Sequence, residues 1–326
     1  MNWLFRDVAG PCLAPRGSVV CIGAFDGVHR GHRSVLALAC ERAAALAATP
    51  VVITFAPVPR AFFSRAVAQL MTAGERAAEL HDCGMQRVLM LRFDAALAAM
   101  SAEEFIERVL LSRLAAKEVW VGDGFRFGHG RRGNLALLQR AGETGGFSAH
   151  EAPPFMLDGE RVSSSRIRAL LAAGDFDGAA RLLGRRFTIG GHVVRGQQLG
   201  RKLGYPTANI RLGSRVAPVG GVFAVRVIGI EAAPMPSVAS LGVRPTVNGK
   251  EPLLEAHLFD FDGDLYGKKI QVEFVQKLRD EEKFDSLDAM VQQIDRDARA
   301  ARQILLRQLD AAAISRPMDG SPAFGR

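Results

Sequence analysis

The sequence has 326 residues, 48% of them hydrophobic, and a formal net charge of +8. This length is sufficient for two domains, each with its own core. The charge is evenly spread, with 22 basic and 18 acidic residues up to Arg185, 20 and 16 after it, and no run of five Lys or Arg. The distribution argues against a dedicated nucleic-acid patch and is compatible with small anionic ligands.

The four cysteines, Cys12, Cys21, Cys40 and Cys83, all lie in the first third of the chain and show no C-x-x-C spacing. This pattern is typical of free thiols in a reducing compartment. The first residues lack the apolar core of a signal peptide, and no uncharged apolar run reaches the roughly 18 residues of a membrane helix. We therefore expect a cytoplasmic protein without a membrane partner.

Short apolar runs alternate with alanine-rich helical stretches in the first half of the chain. The runs are SVVCIGAF, PVVITFA, RVLMLRF and EVWVGDGF, and the helical stretches cover residues 34–48, 75–83 and 102–114. Strands that are apolar on both sides, separated by amphipathic helices, are typical of a parallel sheet covered on both faces. The pattern predicts a doubly wound α/β domain.

The pattern changes after Arg185, where short runs rich in β-branched residues are bounded by Gly, Pro or Asp. About five or six such strands followed by one helix predict a small antiparallel β-barrel. We place the first domain, including a helical linker from residue 163, at residues 1–185 and the barrel domain at residues 186–312. Residues 313–326 have no apolar period, which predicts a disordered tail.

The segment GAFDGVHRGHRSV, residues 23–35, follows a predicted strand and opens a predicted helix. Backbone N–H groups and the helix dipole face a phosphate in this geometry. His29 and His32 could add imidazole donors that stabilise the charge developing during phosphoryl or nucleotidyl transfer. The alternative is that the pair binds a metal or is simply exposed, although zinc usually needs further Cys or His ligands nearby.

Two later segments of the first half carry groups suited to phosphates. VGDGFRFGHGRRGN, residues 121–134, is a glycine-rich, arginine-bearing loop that follows a strand. VSSSRIR, residues 162–168, places hydroxyls and Arg166 at a helix start, where they could hold an outgoing pyrophosphate. Taken alone, these serines could be an ordinary helix N-cap.

In the barrel half, GQQLGRKLGYPTAN, residues 196–209, combines glycines with two cations and a Thr/Asn pair. Glycines allow close approach of the backbone to phosphates, and Thr207 and Asn209 offer oxygen ligands to Mg²⁺. Glycine turns are also common in small barrels, so the loop alone is weak evidence. No Walker-type P-loop occurs in the sequence.

Taken together, these motifs resemble the bacterial bifunctional riboflavin kinase/FMN adenylyltransferase family, also called FAD synthetases. GAFDGVHRGH resembles the family's H-x-G-H motif, and GDGFRFG and SSSRIR follow in the expected order. PTAN, LGVRPTV and LEAHLFDF resemble riboflavin kinase segments, so that the resemblance extends to about Leu309. The chain departs from the family at Ala56 and Val58, which are plainer than usual, and at Gly124, where Asp or Asn is normal.

The resemblance implies two ATP-dependent reactions, riboflavin to FMN in the barrel and FMN to FAD in the α/β domain, with Mg²⁺ as cofactor. It implies a catalytic set of His29, His32 and the proposed base Glu255. It implies nucleotide binding by Gly23, Phe25, Asp26, Gly31, Ser164, Ser165, Arg166, Gly191, Gly196, Gly200, Arg201, Lys202, Gly204 and Pro206. The implied flavin-binding residues are Asp123, Phe125, Arg126, Arg279 and Asp285, and the implied metal ligands are Thr207 and Asn209.

Several alternatives stay open at this point. Glu255 could be part of a cross-strand ion pair, and Asp285 or Ser286 could simply cap the last helix. The chain could be a riboflavin kinase with weakened or lost adenylyl transfer, or a different nucleotidyltransferase joined to a barrel. A nucleic-acid-binding barrel would need interleaved basic and aromatic residues, which the mostly aliphatic strands lack. We expect riboflavin, FMN and ATP as partners, no nucleic acid, and a monomer or weak homo-oligomer.

Overall fold

The computed structural model describes residues 2–64, 67–196, 200, 203–213, 215–246 and 249–314. These residues fall into two compact units. The N-terminal unit lies within Met1–Ala169 and Arg181–Arg185, and the barrel unit lies within Leu170–Ala180 and Arg186–Arg326. Residues 170–180, which belong to the predicted linker, group with the barrel unit. The described part of the chain includes no helix that is both long and apolar enough to span a bilayer.

The N-terminal unit is built on a six-stranded parallel sheet with the order β1-β4-β3-β2-β5-β6. Its strands are β1 Leu4–Phe5, β2 Ser18–Ile22, β3 Thr49–Ala56, β4 Arg87–Arg92, β5 Ala116–Val121 and β6 Ser148–Glu151. Alternate residues of β2 face opposite sides, with Val20 and Ile22 in one core cluster and Val19 and Cys21 in another. Both faces of the sheet are thus covered, which confirms the doubly wound prediction.

The helices of this unit are α1 Arg30–Ala45, α2 Pro59–Phe63, α3 Ala73–Asp82, α4 Ala95–Ala99, α5 Ala102–Phe105 and α6 Leu135–Gly145. A π-helical segment, Ile106–Arg113, continues α5. A hairpin of β7 Met156–Leu157 and β8 Glu160–Arg161 precedes α7 Ser164–Ala172 and α8 Phe176–Leu183. The first helix begins four residues earlier than its apolar periodicity indicated, because His29 caps it.

The barrel unit contains six antiparallel strands that close in the order β10-β13-β12-β11-β14-β9. They are β9 Thr188–Val194, β10 Ala208–Arg211, β11 Gly221–Ile228, β12 Met235–Thr246, β13 Gly249–Leu258 and β14 Lys269–Arg279. Phe223 and Phe274 fill its core, and Phe176 of α8 packs against both rings. The antiparallel barrel prediction is therefore confirmed.

One long helix, α9 Leu287–Ile314, follows the barrel. It includes residues 313 and 314, which we expected to open the disordered tail, and residues 315–326 lie outside the described part. Its buried residues Ala298, Ala301 and Leu305 pack against Val222, Ala224 and Val238 of the barrel wall. This apolar stripe at helical spacing explains why a single helix can cover one side of the barrel.

Candidate active sites

The first candidate site lies at the carboxyl end of β2, where the chain turns into α1. Phe25, Gly27 and Val28 have φ values of +49°, +88° and +37°. Such values are unfavourable for Phe and Val, so the turn depends on its surroundings to hold its shape. Strained turns of this kind are concentrated at functional sites in proteins.

The two histidines of the H-x-G-H motif stack on each other at the start of α1. Their ring centroids lie 3.6 Å apart at 15°, and the edge of Phe25 contacts His32 with a centroid distance of 5.1 Å. His29 is the N-cap residue, and its Nδ1 accepts a hydrogen bond of 3.2 Å from the His32 backbone N–H. Because Nδ1 accepts, the proton of the neutral ring is on Nε2, which is the nitrogen available to donate to a ligand.

Both imidazoles are neutral at pH 7. Burial, together with the charges of Arg168 and Arg185, lowers the pKa of His29 to about 4. Burial and the neighbouring His29 and Arg76 hold the pKa of His32 well below its ordinary value. The pair is therefore a set of neutral hydrogen-bond donors in a positive environment, whereas the sequence analysis gave no information about charge state.

Three buried or half-buried arginines, which the sequence analysis did not assign, surround the histidine pair. Arg76 of α3 donates to the Phe55 carbonyl at 2.5 Å, Arg185 donates to the Gly27 carbonyl at 3.1 Å, and Arg168 pairs with Asp26. Burial lowers the pKa of Arg76 and of Arg185. Among the described residues, Nε of Arg76, Nη1 of Arg185 and Nδ1 of His32 have no hydrogen-bond partner. An excess of buried cations and unsatisfied nitrogens favours an anionic ligand.

Asp26 and Ser164, both predicted to bind nucleotide, hold the turn together. The Asp26 carboxylate is buried, accepts from the backbone N–H groups of Leu70 (3.1 Å) and Met71 (3.3 Å), and pairs with Arg168 at 2.5 Å. The Ser164 hydroxyl donates to the Asp26 carbonyl at 2.8 Å. These bonds connect the turn before α1 to α7, so that Asp26 and Ser164 stabilise the turn that carries the histidines.

The other predicted nucleotide-binding residues of this unit lie on the same two segments. An added Cβ at Gly31 would lie 3.3 Å from the His29 ring, and one at Gly23 would lie 3.1 Å from the Phe25 ring. Ser163, rather than a later serine, accepts the cap hydrogen bond of 3.2 Å from the Arg166 backbone N–H. Ser165 is exposed, and Arg166 pairs with Glu160 of the hairpin.

The predicted flavin residues of the loop after β5 have separate environments. Asp123 pairs with Arg161 at 2.6 Å, and Phe125 stacks on Phe127 at 5.5 Å while packing against the core. Arg126 is exposed, and its guanidinium donates to the Phe125 carbonyl at 3.1 Å. At Gly124, φ is +67° and an added Cβ would meet no described atom within 4 Å.

An aromatic cluster that the sequence analysis missed lies at the carboxyl ends of β3 and β4. Phe55, Phe62 and Phe63 each contact Phe93 edge-on, with centroid distances of 5.8, 5.4 and 5.9 Å. Phe63 is 73% exposed and Phe62 39% exposed. The sequence feature that could have indicated this cluster is the pair of adjacent phenylalanines in PRAFF, which overlaps the end of the TFAPVPR stretch. Val58 is buried at the start of α2.

The second candidate site lies in the barrel, around the start of β10. Asn209 and Glu255 are directly opposite in the β10–β13 pair, and Ser240 is opposite Glu255 in the β12–β13 pair. The Asn209 amide donates to the carbonyl (3.1 Å) and hydroxyl (3.4 Å) of Thr207. Its buried Oδ1 has no hydrogen-bond partner among the described residues. The structure thus brings the proposed base and both predicted metal ligands together.

A cavity of about 370 Å³ opens beside these residues. Four of the predicted site residues contribute to its wall, namely Gly200, Thr207, Glu255 and Arg279. Its apolar wall includes Leu203, Val222, Val238, Ala239, Leu253, Phe284, Met290 and Ile294. An apolar cavity with a few convergent polar groups is typical of a small-molecule site.

Arg279, predicted to bind flavin, is fixed by the last helix. Its guanidinium donates to Asp297 at 2.8 Å, pairs with Glu282 at 3.4 Å and lies 5.7 Å from the centre of the Phe284 ring. Asp285 is exposed and does not contribute to the cavity wall as described. The adjacent Ser286 caps α9 by accepting from the Ala289 backbone N–H at 3.1 Å.

The predicted glycines of the barrel mark close approaches of the backbone. An added Cβ would lie 2.5 Å from Ile210 at Gly191, 2.7 Å from the Asn209 side chain at Gly196, and 2.3 Å from the Tyr205 carbonyl at Gly200. Gly204 has a φ of +86°. The Pro206 carbonyl accepts from His257 at 2.8 Å. Arg201 and Lys202, the two predicted cations of this loop, lie outside the described residues.

Comparisons with known proteins cover nearly the whole chain. Residues 13–166 match the FAD synthetase family and residues 183–305 match the riboflavin kinase family. The bifunctional riboflavin kinase/FMN adenylyltransferase of Pseudomonas fluorescens is 47% identical over 89% of this chain and 93% of its own. The protein of the same name from Escherichia coli K12 is 44% identical over 92% and 97%.

Among solved structures, one described as a macrolide-efflux protein from Streptococcus pneumoniae is similar to this chain. It has a TM-score of 0.74 and 30% identity, and the match covers 91% of this chain and 96% of that one. The family matches, the two relatives and the order of the motifs agree with one another, and the resemblance noted in the sequence is confirmed. The chain belongs to the bifunctional riboflavin kinase/FMN adenylyltransferase family.

Proposed function

We propose that this chain phosphorylates riboflavin to FMN in its barrel unit and adenylylates FMN to FAD in its N-terminal unit. ATP is the second substrate of both reactions, and ADP and pyrophosphate are the respective by-products. The observation that carries this proposal is the presence of two separate constellations, one of imidazoles and guanidiniums and one of oxygen ligands around Glu255. Family membership supports the same pair of activities.

In adenylyl transfer, an oxygen of the FMN phosphate attacks the α-phosphorus of ATP, and the bond to pyrophosphate breaks. The attacking phosphate is already ionised, so the site needs no general base, which agrees with a site of donors and cations. Nε2–H of His29 donates to a phosphate oxygen, and Arg76, Arg168 and Arg185 supply the positive field. Donors fixed in place before the reaction stabilise the charge that develops in the transition state.

In riboflavin phosphorylation, Glu255 takes the proton of the terminal ribityl hydroxyl as its oxygen attacks the γ-phosphorus. The bond between the β- and γ-phosphoryl groups breaks, and ADP leaves. A carboxylate suits this role because it accepts a proton at neutral pH when it is held beside the hydroxyl. Glu255 lies directly opposite Asn209 on one neighbouring strand and Ser240 on the other.

The barrel residues fit a magnesium ion. Oδ1 of Asn209 is buried and lacks a hydrogen-bond partner among the described residues. The amide nitrogen of the same side chain donates to the Thr207 hydroxyl. Side-chain oxygens are the ligands that Mg²⁺ prefers, so Thr207 and Asn209 would hold the ion with Glu255 nearby. When bound, the ion neutralises part of the phosphate charge.

For the FMN of the adenylyl-transfer reaction, we place the flavin ring against the exposed aromatic cluster of Phe55, Phe62, Phe63 and Phe93. This cluster and the histidine turn follow neighbouring parallel strands at the same edge of the sheet. Planar rings gain about 0.5–1.5 kcal/mol from stacking on aromatic side chains. F63A should therefore raise the KM for FMN about three- to tenfold and leave riboflavin phosphorylation unchanged. An unchanged KM in F63A would contradict this placement and would favour binding of the flavin ring at the loop of Asp123, Phe125 and Arg126.

Product analysis tests the proposed function directly. The purified chain is incubated with ATP, Mg²⁺ and either riboflavin or FMN, and the flavins are separated by chromatography. Riboflavin should give FMN and then FAD, and FMN should give FAD. Riboflavin that stops at FMN, with added FMN inert, would favour the kinase with lost adenylyl transfer, and no conversion of either flavin would contradict the proposal.

We further propose that the protein acts in the cytoplasm on these small molecules, without a nucleic-acid or membrane partner, as a monomer or weak homo-oligomer. All four cysteines are free thiols in the structure, which supports a reducing compartment. Gel filtration with light scattering measures the oligomeric state.

A further inference from the structure

We propose that His257 is a positioning residue for riboflavin phosphorylation, because it fixes the segment that presents Thr207 and Asn209 to Glu255. This inference rests on the proposed kinase function of the barrel. His257 lies on β13 two residues after Glu255, so both side chains point to the same face of the strand, and both contribute to the wall of the cavity. Its Nδ1 donates to the Pro206 carbonyl at 2.8 Å.

The bond replaces a strand interaction that the chain cannot make at this point. The β10–β13 ladder begins at Ala208, which is opposite Ala256. Pro206, two residues earlier, has no backbone N–H and cannot contribute a donor to an extended ladder. Its carbonyl is the one backbone hydrogen-bonding group that it offers, and the His257 ring binds it. A side chain therefore fixes the chain where the ladder stops.

The imidazole is itself held in a defined plane. The Tyr205 ring contacts it edge-on at a centroid distance of 5.2 Å, and the Phe259 ring does so at 5.8 Å. A carbonyl can only accept, so the proton must be on Nδ1 of His257. The direction of the donor is consequently set by packing on two sides.

The position of the Pro206 carbonyl affects the residues that follow it. Thr207 is the next residue, and its carbonyl and hydroxyl both accept from the Asn209 amide, whose Oδ1 is the unsatisfied oxygen of the proposed metal site. The segment 206–209 is therefore held by His257 at one end and by the Asn209–Glu255 register at the other. Without the first of these, Thr207 would be free to move relative to Glu255.

The test compares H257L and H257N, two substitutions of nearly equal size. The Asn amide nitrogen occupies the same branch position as Nδ1 and can donate to the Pro206 carbonyl, whereas Leu cannot donate. The loss of a single hydrogen bond has a modest effect, which sets the expected size of the change. We expect H257L to lower kcat/KM for ATP in riboflavin phosphorylation about three- to tenfold and to raise the Mg²⁺ concentration for half-maximal rate. H257N should stay within about twofold of the wild type in both measurements.

FMN adenylylation, measured in the same preparations, serves as the internal control and should be unchanged in both variants. If H257L retains wild-type constants and Mg²⁺ dependence, or if H257N is impaired as much as H257L, the positioning role is wrong. H257L could also lower the thermal stability of the barrel. The comparison with H257N still tests the positioning role, because the proposal requires that a side-chain N–H donor to the Pro206 carbonyl is sufficient to keep activity. A wild-type chain that fails to phosphorylate riboflavin would contradict the proposed function itself.

Discussion

The two candidate sites have opposite electrostatic character. In the N-terminal unit, Arg76, Arg168 and Arg185 surround the neutral imidazoles. The buried carboxylate of Asp26 already accepts hydrogen bonds from an arginine and from backbone N–H groups. In the barrel, Glu255 and the side-chain oxygens of Thr207 and Asn209 converge, and further carboxylates contribute to the cavity wall.

This difference follows from the two nucleophiles. An FMN phosphate arrives already ionised, so its site needs positive charge and fixed donors and has no use for a base. A ribityl hydroxyl must lose a proton, so its site needs a carboxylate, and a carboxylate beside ATP requires a cation to offset the combined negative charge. Each half of the chain can therefore be disabled by a substitution that leaves the other half intact.

The largest effect is expected from E255Q in the barrel. The amide keeps the size of the side chain and cannot accept the hydroxyl proton, so riboflavin phosphorylation should fall about 10²- to 10⁴-fold. FMN adenylylation, followed in the same preparation by FAD formation, should stay at the wild-type rate. Loss of both activities would show that the two sites cannot be separated in this way.

In the N-terminal unit, H29N separates the donor of the ring from its capping role. The Asn oxygen can still accept from the His32 backbone N–H, as a good N-cap does, whereas the Nε2–H donor is removed. We expect FAD formation from FMN to fall about 10²- to 10³-fold, with riboflavin phosphorylation unchanged. An H29N protein that forms FAD at the normal rate would contradict the role assigned to this imidazole.

D26N should destabilise the N-terminal unit because it removes the buried carboxylate that pairs with the half-buried Arg168. Breaking a buried pair costs about 3–5 kcal/mol of unfolding free energy. Both tryptophans, Trp3 and Trp120, lie in this unit, so urea unfolding followed by tryptophan fluorescence reports on it selectively. The matched control is D158N, whose exposed partner Arg181 is 3.5 Å away and whose cost should stay below about 1 kcal/mol. Equal effects of the two variants would refute the structural role of Asp26.

Acid should weaken the N-terminal unit through His29. Its pKa is lowered from 6.5 to about 4 in the folded chain, so the unfolded chain binds more protons between these values. Stability is therefore fully present above pH 6.5 and is lost as the pH falls towards 4, by about 3 kcal/mol. Urea unfolding at several pH values, again by tryptophan fluorescence, measures the slope. H29N should show a shallower slope, and an identical slope in both proteins would exclude His29 as the cause.

The smallest effect is expected at Gly124, where the family usually has Asp or Asn. Its φ of +67° is a conformation that Asn tolerates, and an added Cβ would meet no described atom within 4 Å. G124N should change the unfolding free energy by less than about 0.5 kcal/mol. G128N is the control, because a Cβ there would lie 2.6 Å from the Ala102 backbone nitrogen. A large loss of stability in G124N would show that glycine is required at this turn.

The sequence predicted those features that are local along the chain. Apolar runs located β2 to β5, and the order of short β-rich runs indicated the barrel, because buried strands need such residues. The strands β1 and β6 have two and four residues, too short for a periodic signal. The H-x-G-H and PTAN segments were recognisable because each carries its chemistry within a few residues.

The rest of the sites could not be predicted because their residues come together only in the folded chain. Arg76 and Arg185 look like ordinary surface arginines in the sequence, and Arg168, the last residue of the VSSSRIR segment, received no role of its own there. Asp26 is a further example. The sequence suggested that it binds nucleotide, whereas in the structure its carboxylate accepts hydrogen bonds from the backbone N–H groups of Leu70 and Met71. Charge state, burial and hydrogen-bond partners are properties of the assembled structure and have no local pattern.

The central claim is that two chemically different sites on this chain act in sequence and can be disabled separately. Mixing E255Q with H29N tests it most directly, with riboflavin, ATP and Mg²⁺ supplied and the flavins separated over time. Each variant alone should fail to make FAD from riboflavin, and the mixture should make it, because FMN released by the H29N protein is adenylylated by E255Q. A mixture that forms FMN and no FAD, although E255Q converts added FMN, would contradict the account.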